Sequence, residues 1–557
     1  MKLTNLLFAC ALLLTFSCKQ EKPKQQVAEE IEIRQWNPED LRAIAGNRLE
    51  RGLIKKTDQA TPGYTLFSPY TGTVSYLIDK DGNIVHSWKG ELSAALNGYL
   101  LENGHLIRVE RDVDFPTFAA GGAAGRIREY DWEGNLVWDF EYANEKELIH
   151  HDIEVLPNGN ILAISYELIT PEQAISAGKD PGKIAKAGIW PDKIIEIKPI
   201  KPVGGEIVWE WHMWDHLIQD LDPNKPNYGV IAENPRRIDV NLNNDFDFPP
   251  FSQEQIDMMK KHEILTSNFT EDNITSDISH SNAVSYNPEL DQIAISIKHF
   301  GELFIIDHST TTEEAKGSTG GKWGHGGDLL YRWGNPENYG RGTKADRTLF
   351  NQHEVRWVPQ GYEGAGNLTM FNNDIINPNN KMPSVLGAMM ESGSADPEIS
   401  IADIGNYSAV YEITMPTSKE GVYMIPESDK IGPNAPSWQY TAPDKYSLFS
   451  PIMSSAQRLK NGNTLITSGI DGRILEVTPV GKTVWEYRNQ YKYDYKLPDG
   501  SVPQPGGSIT QYGLNRSLHY DADYEAFKGK ELKPIVPQPE PFIFKMPPPP
   551  AEQDSVH

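Results

Sequence analysis

Along most of the chain, apolar and polar residues alternate with a period of two, in short runs separated by glycine-bearing turns. Two versions of this pattern recur. In the first, an apolar strand, a turn containing glycine and a strand ending near Trp or Tyr follow one another. Copies run over residues 76–88 (through Gly82, to Trp88), 129–138 (through Gly134, to Trp138), 194–209 (through Gly204-Gly205), 304–333 (through Gly326-Gly327, with an insertion) and 474–485 (through Gly481). A strand beginning at Tyr411 reads as a sixth copy with no obvious partner. In the second version a histidine stands at the start of an alternating strand: His150-His151-Asp152, His280-Ser281-Asn282 and Gln352-His353-Glu354. The last is followed by a turn at Gly366 and a second strand reaching Phe371-Asn372-Asn373-Asp374. Residues 100–107 and 454–466 repeat the plan without the histidine, and their pairs Asn103-Gly104 and Asn461-Gly462 are hairpin signals.

Two alternating hairpins make a four-stranded sheet, and radial repetition of such sheets makes a β-propeller. The sequence therefore predicts an all-β fold of six blades between Tyr64 and about residue 520. Trp88, Trp138, Trp209, Trp333 and Trp485, at equivalent repeat positions, are expected between blades. Residues 167–190, 220–273 and 382–405 are too long for tight turns and are expected to cap one face. The oxygen-rich stretch 239–247 is spaced like a calcium loop but lacks the glycine and the closing glutamate, so it reads as a solvated loop. The expected organisation is 1–18 signal, 19–62 tether and short N-terminal segment (with a short helix over 37–51), 63–530 propeller and 531–557 proline-rich extended tail.

Composition agrees with many short strands: 557 residues with 46 Gly, 40 Pro, 13 Trp and 24 Tyr. The balance of 52 basic against 77 acidic residues gives −25, which argues against a nucleic-acid partner. An anionic substrate would need a local basic pocket. At the N-terminus, Lys2 precedes an apolar run from Leu3 to Phe16 that ends at Ser17-Cys18. This is the form of an export signal with a lipoprotein processing site, Cys18 being lipidated and anchoring the chain in the envelope, in the periplasm or at the outer-membrane surface. An ordinary cleaved signal peptide is the alternative. Cys10 falls in the removed segment, leaving Cys18 alone, so neither a disulfide nor a cysteine-ligated metal is available.

Repeats that present histidine at the same point of separate sheets would gather His353, His280 and His151 or His150 at one axial mouth. Here the chain resembles the bacterial, nucleotide-independent arylsulfate sulfotransferases over about residues 64–516. The resemblance rests on Gln352-His353 with residues 371–374, on His280-Ser281-Asn282 through Tyr286, Asp291 and Ser296-Ile297-Lys298-His299, and on Asn515-Arg516-Ser517. It implies a propeller enzyme in which His353 is a nucleophile carrying a sulfuryl group. His280 and His151 (or His150) would hold the sulfuryl oxygens and move protons. Lys298 stands where the family has an arginine, keeping the charge without the planar fork. The candidate catalytic set is thus His353, His280, His151 and Lys298, with His150, Asn282, His299, Arg356, Asn373 and Arg516 as substrate-binding residues. No cofactor and no metal is expected, and the partner is a small anion such as an aryl sulfate or a sulfated oligosaccharide. Two other readings stay open. One is β-elimination on sulfated uronic-acid oligosaccharides (a polysaccharide lyase or dehydratase), and the other is a glycan-binding propeller without catalysis.

Overall fold

The structure is a computed structural model that describes residues 50–112, 117–242, 252–254, 256–257, 269–375, 406–418, 421–492, 494 and 512–543. Six antiparallel sheets follow one another. Blade 1 is Leu514–Asp521, Gly63–Pro69, Val74–Ile78 and Ile84–Lys89. Blade 2 is Ala94–Leu100, Leu106–Arg111, Gly125–Tyr130 and Leu136–Glu141. Blade 3 is Glu147–Val155, Ile161–Glu167, Asp192–Pro199 and Gly205–His212. Blade 4 is Ser281–Asn287, Gln292–Ile297, Glu302–Asp307 and Tyr331–Trp333. Blade 5 is His353–Trp357, Leu368–Ile375, Tyr407–Ile413 and Trp438–Tyr440. Blade 6 is Ser455–Arg458, Thr464–Ser468, Arg473–Val477 and Thr483–Arg488, with Gly52–Lys56 added at its outer edge. The first strand of every blade touches the first strand of the next, all the way round, so these six strands line the axis.

The period-two pattern is what joins blade to blade. In blade 1, Phe67 and Ile78 turn toward the Leu465, Ile474 and Trp485 side chains of blade 6. Their sequence neighbours Leu66 and Leu77 turn the other way, onto Leu100 and Leu106 of blade 2. Comparable apolar clusters fill the junctions between blades 2 and 3, 3 and 4, 4 and 5, and 5 and 6. Both faces of each sheet are covered, as apolar residues at alternating positions require.

The outer-strand tryptophans add a directional bond to that burial. Each sends its indole N–H to the neighbouring blade: Trp88 to Asp131 O (3.0 Å), Trp138 to Gly204 O (2.8 Å), Trp209 to Thr310 Oγ1 (3.2 Å), Trp333 to Pro433 O (2.7 Å), Trp438 to Pro479 O (2.7 Å) and Trp485 to Lys80 O (2.9 Å). A large ring is buried in this way without orphaning its donor.

Several details differ from the sequence reading. Blade 1 is completed by the C-terminal strand Leu514–Asp521 pairing with Gly63–Pro69, which closes the ring with both ends of the chain. Gly52–Lys56, read as part of the N-terminal segment, is a strand on blade 6. The partner of the Tyr411 strand is Trp438–Tyr440. The insertion after blade 3's second strand contains the helix Pro171–Ser176, started by a Thr170/Gln173 capping box. Ile238–Asp239, at the head of the oxygen-rich stretch, pairs in parallel with Leu217–Ile218. Residues 243–247 of that stretch, and the insertion 382–405, lie outside the described residues, as do residues 1–49 with Cys18 and most of the expected helix. Part of the tail is docked: Ile535 N–H donates to Ile84 O and Phe542 N–H to Gln490 O, both at 2.9 Å. Among the described residues no helix is long and apolar enough to cross a membrane.

Candidate functional site

The axis-lining strands are bulged near the end where the histidines stand. The pairing register slips between Ile149 and Ile153 in blade 3, between Ser281 and Ala283 in blade 4, and between His353 and Arg356 in blade 5. His151 (φ 56°), His280 (φ 53°) and Glu354 (φ 55°) take left-handed backbone there. Such conformations are uncommon for residues other than glycine and mark places where packing over-determines the chain. A bulge re-aims a side chain, and here it brings imidazoles from three blades together. The His151 and His280 rings meet edge to face at 4.6 Å, and His280 stacks on His299 at 4.7 Å. His353 stands near enough to both that a proton on it would lower the basicity of His151 and His280.

Hydrogen bonds fix which nitrogen of each ring carries the proton. The Asn373 amide donates to Ser450 O (2.7 Å) and Met453 O (2.8 Å), so its oxygen accepts. His353 Nδ1–H donates to that Oδ1 and to Asn351 O, each at 3.0 Å, which leaves Nε2 as a lone pair receiving the Met453 amide at 3.2 Å. His280 Nδ1 donates to the Asp277 carboxylate, whose same oxygen also accepts from Tyr166 Oη at 2.9 Å. His299 Nδ1 donates to Asp277 O at 3.1 Å. Behind His151, the Asp192 carboxylate takes the Nε2–H of His150 at 2.9 Å. With that proton on Nε2, His150 Nδ1 accepts the Nδ1–H of His151 at 2.7 Å. Every one of these tautomers leaves Nε2 of His151, His280, His299 and His353 without a proton.

Electrostatics keeps the rings neutral. Burial, followed by the Lys298 ammonium, drives His353 down to about 3. His280 and His299 fall well below the usual imidazole range for the same two reasons in the same order. His151 falls too, through burial and then the neighbouring His280. Lys298 follows the strand Gln292–Ile297, and its Nζ donates to His299 Nε2 at 3.4 Å. The wall beside the pair is Gly121-Gly122. A Cβ on Gly122 (φ 75°) would lie 2.3 Å from His151 Cε1, and one on Gly121 would lie 3.5 Å from His280 Cε1. Only glycine fits at Gly122.

A second layer of charge lines the channel on the same strands. Arg516 clasps Asp152 with two bonds of 3.0 Å, donates to Tyr99 Oη and reaches Glu354 at 3.4 Å. Glu354 also accepts from Arg356 Nε at 2.8 Å and from Ala456 N–H at 2.8 Å. Glu154 stands beside them, half-buried, with its carboxyl raised to about 7 by burial against the opposing pull of Arg356.

The sequence-predicted residues therefore separate into three groups. His353, His280, His151, His299 and Lys298 form one layer. Asn373 fixes the His353 tautomer, His150 stands behind His151, and Asn282 donates to Gln352 O at 2.7 Å, tying blade 4 to blade 5. Arg356 and Arg516 belong to the channel layer, with carboxylates already on their guanidinium groups. The pairing settles which of the two adjacent histidines meets His280: His151 does, while His150 stacks on Tyr166 at 3.6 Å. Sequence reasoning did not single out Asp277, Asp192, Tyr166, Gly122 or Glu154. Of these, only Asp277, three residues before His280, and Glu154, three residues after His151, carry a local signal.

No curated protein matches the chain. Among solved structures, a Bacteroides caccae protein of unknown function overlaps at 10% identity and a TM-score of 0.38, over 78% of this chain and 96% of that one. A putative 6-phosphogluconolactonase from Bacteroides fragilis overlaps at 11% and 0.32, over 78% and 96%. Virginiamycin B lyase from Staphylococcus aureus does so at 12% and 0.31, over 79% and 88%. Overlaps of this quality carry no argument about activity. The family comparison is of another kind: residues 54–501 match Arylsulfotransferase (ASST), a span that takes in all the histidines above, and the chain belongs to that family.

Proposed function

We propose that this protein transfers a sulfuryl group from an aryl sulfate to a hydroxyl acceptor, with His353 Nε2 carrying the group between them. The observation that carries the proposal is the His353 tautomer: its proton is held on Nδ1 by Asn373 and Asn351, so Nε2 has a lone pair to offer. Attack on sulfur would form the N–S bond as the S–O bond to the phenol breaks, after the ring gives up its contact with the Met453 amide. His280 and His151, with bare Nε2 atoms and a carboxylate behind each, can accept the acceptor hydroxyl's proton. Once protonated they donate to the sulfuryl oxygens, beside the positive charge of Lys298. The second half-reaction reverses the first, with the acceptor oxygen displacing His353.

The test is turnover of 4-nitrophenyl sulfate with a phenol acceptor. Wild type should transfer sulfate, and His353→Asn should reduce the rate by about 10³-fold or more. Equal rates would end the proposal. One observation favours a second reading: neutral imidazoles backed by carboxylates are bases, and a base near Lys298 suits removal of a proton next to a uronate carboxylate. On that reading, sulfated uronate oligosaccharides give an ultraviolet-absorbing unsaturated product, and a flat trace across a panel of them removes it. Export and lipid attachment at Cys18 belong to the proposal, and labelling of the expressed chain with a fatty-acid analogue, lost in Cys18→Ser, tests them.

A further inference from the structure

We infer that His150, fully buried behind His151, is where the acceptor's proton is kept: His151 takes that proton on Nε2 and passes its own Nδ1 proton to His150, against the Asp192 carboxylate. The inference rests on the sulfuryl-transfer reading and adds a positioning residue to it.

The first observation is that the two rings meet at all. Consecutive residues of a strand point to opposite faces, yet Nδ1 of His150 and Nδ1 of His151 lie 2.7 Å apart, with the rings at 81°. The bulge and the left-handed backbone of His151 turn one ring onto the other. The second observation is what each ring rests on. The Nδ1–H of His299 ends on a carbonyl, and that of His353 on a carbonyl and an amide oxygen. None of these acceptors can take the proton itself. His151 rests instead on an imidazole nitrogen, and that imidazole rests on a carboxylate.

The third is charge. A proton kept on His151 would stand beside His280, at 4.6 Å ring to ring, and near Lys298. Moved to His150, the same charge lies one hydrogen bond of 2.9 Å from Asp192 Oδ1. Asp192 is itself fixed, because its Oδ2 accepts the Ser281 N–H at 2.8 Å. The charged and titratable groups around the pair are Asp192 and Tyr166 of blade 3, His280 and Lys298 beside blade 4, and His353 of blade 5, with Asp277 behind Tyr166. Asp192 is the one that draws a proton to His150, and the cations on the other side push it there.

As the acceptor oxygen attacks sulfur, its proton goes to His151 Nε2 and the N–S bond to His353 breaks, returning the lone pair to His353 Nε2. The Nδ1 proton of His151 moves to Nδ1 of His150. His151 is left neutral with a proton on Nε2, now a donor toward the sulfuryl oxygens, and His150 is left as an imidazolium on Asp192. The proton returns by the reverse path when the next phenolate leaves.

The experiment follows the two half-reactions separately in the full chain, with 4-nitrophenyl sulfate as donor and phenol as acceptor. The burst of nitrophenolate reports the first, whose leaving group departs as a stable anion. Discharge of the sulfated enzyme by phenol reports the second. His150→Phe keeps a ring against Tyr166 and removes both nitrogens. At pH 7 its discharge should fall by about 100-fold, and its burst by far less. The gap in discharge should narrow by up to about tenfold per pH unit above pH 7, as phenol ionises and needs no base. A folding defect would slow both half-reactions and would not be mended by alkali. Asp192→Asn should behave in the same way: Ser281 N–H holds the amide oxygen, so the amide NH2 turns to His150 and forces both rings into the opposite tautomers. Burst and discharge slowed by one factor, a gap that does not narrow with pH, or discharge at the wild-type rate in either variant would each overturn the inference and leave transfer through His353 standing. A wild type that releases no nitrophenolate would remove the transfer reading, and the relay with it.

Discussion

If His353 is held neutral, acid should unfold the protein partly through that ring. Burial and Lys298 bring its folded value to about 3, against 6.5 for a free imidazole. The sign follows from proton counts. Between those two values the unfolded chain binds a proton that the folded chain refuses, so this contribution to stability is present above about pH 6.5 and lost as pH falls toward 3. Between pH 7 and pH 4 the loss amounts to about 3 kcal/mol for His353 alone, at 1.36 kcal/mol per pH unit. His353→Gln keeps a donor toward Asn373 but does not titrate. Guanidinium unfolding of both proteins at pH 7 and pH 4 gives four free energies. The variant should lose about 3 kcal/mol less than wild type on acidification, while the shared contributions of His151, His280 and His299 largely cancel in the comparison. If both lose the same amount, His353 is not a buried neutral imidazole, and the nucleophile assignment goes with it.

Other outcomes follow from single contacts. Gly122→Ala should lower turnover by at least about tenfold and also lower the melting temperature, because the added methyl runs into the His151 ring on a left-handed backbone; paired melting and rate measurements check this. Asp152→Asn should destabilise the fold by about 3 kcal/mol, since it takes from Arg516 the carboxylate it grips with two bonds and leaves Glu354, at 3.4 Å, as its remaining carboxylate partner among the described residues; denaturant unfolding reads it directly. Trp138→Phe should cost about 1–3 kcal/mol, as the Gly204 carbonyl loses its indole donor across the junction of blades 2 and 3; the same unfolding assay applies, with the blade-3 histidine site expected to keep its activity.

The fold was legible wherever a strand and its partner are close in sequence. The Asp79-to-Asn83 turn, or Asn461-Gly462, joins two alternating runs within a dozen residues, and period two then decides the faces. It was illegible where the partner is remote. Leu514–Asp521 pairs with Gly63–Pro69 across almost the whole chain, and no local pattern announces that. Gly52–Lys56 has only one buried residue, so the strand at the edge of blade 6 carries no alternation to find.

The site divides in the same way. Histidine at the head of three repeated strands could be seen, because repeats place equivalent residues equivalently. The bulges that turn His151 and His280 into left-handed backbone could not, since their cause is packing between blades. Nor could the support of each ring be read in advance. Asp192 is on the third strand of blade 3, and Asn373 is on the strand after His353. Arg356 and Arg516 looked available for an anion because the sequence does not display Asp152 and Glu354 folded against them.

The most direct measurement of the central claim is peptide mass spectrometry of the full chain quenched at alkaline pH during turnover of an aryl sulfate, where a sulfated imidazole survives. The account predicts sulfate on the peptide containing His353, released on acidification and missing from His353→Asn. Turnover with no adduct on that peptide, or with the sulfate carried by another residue, would contradict it.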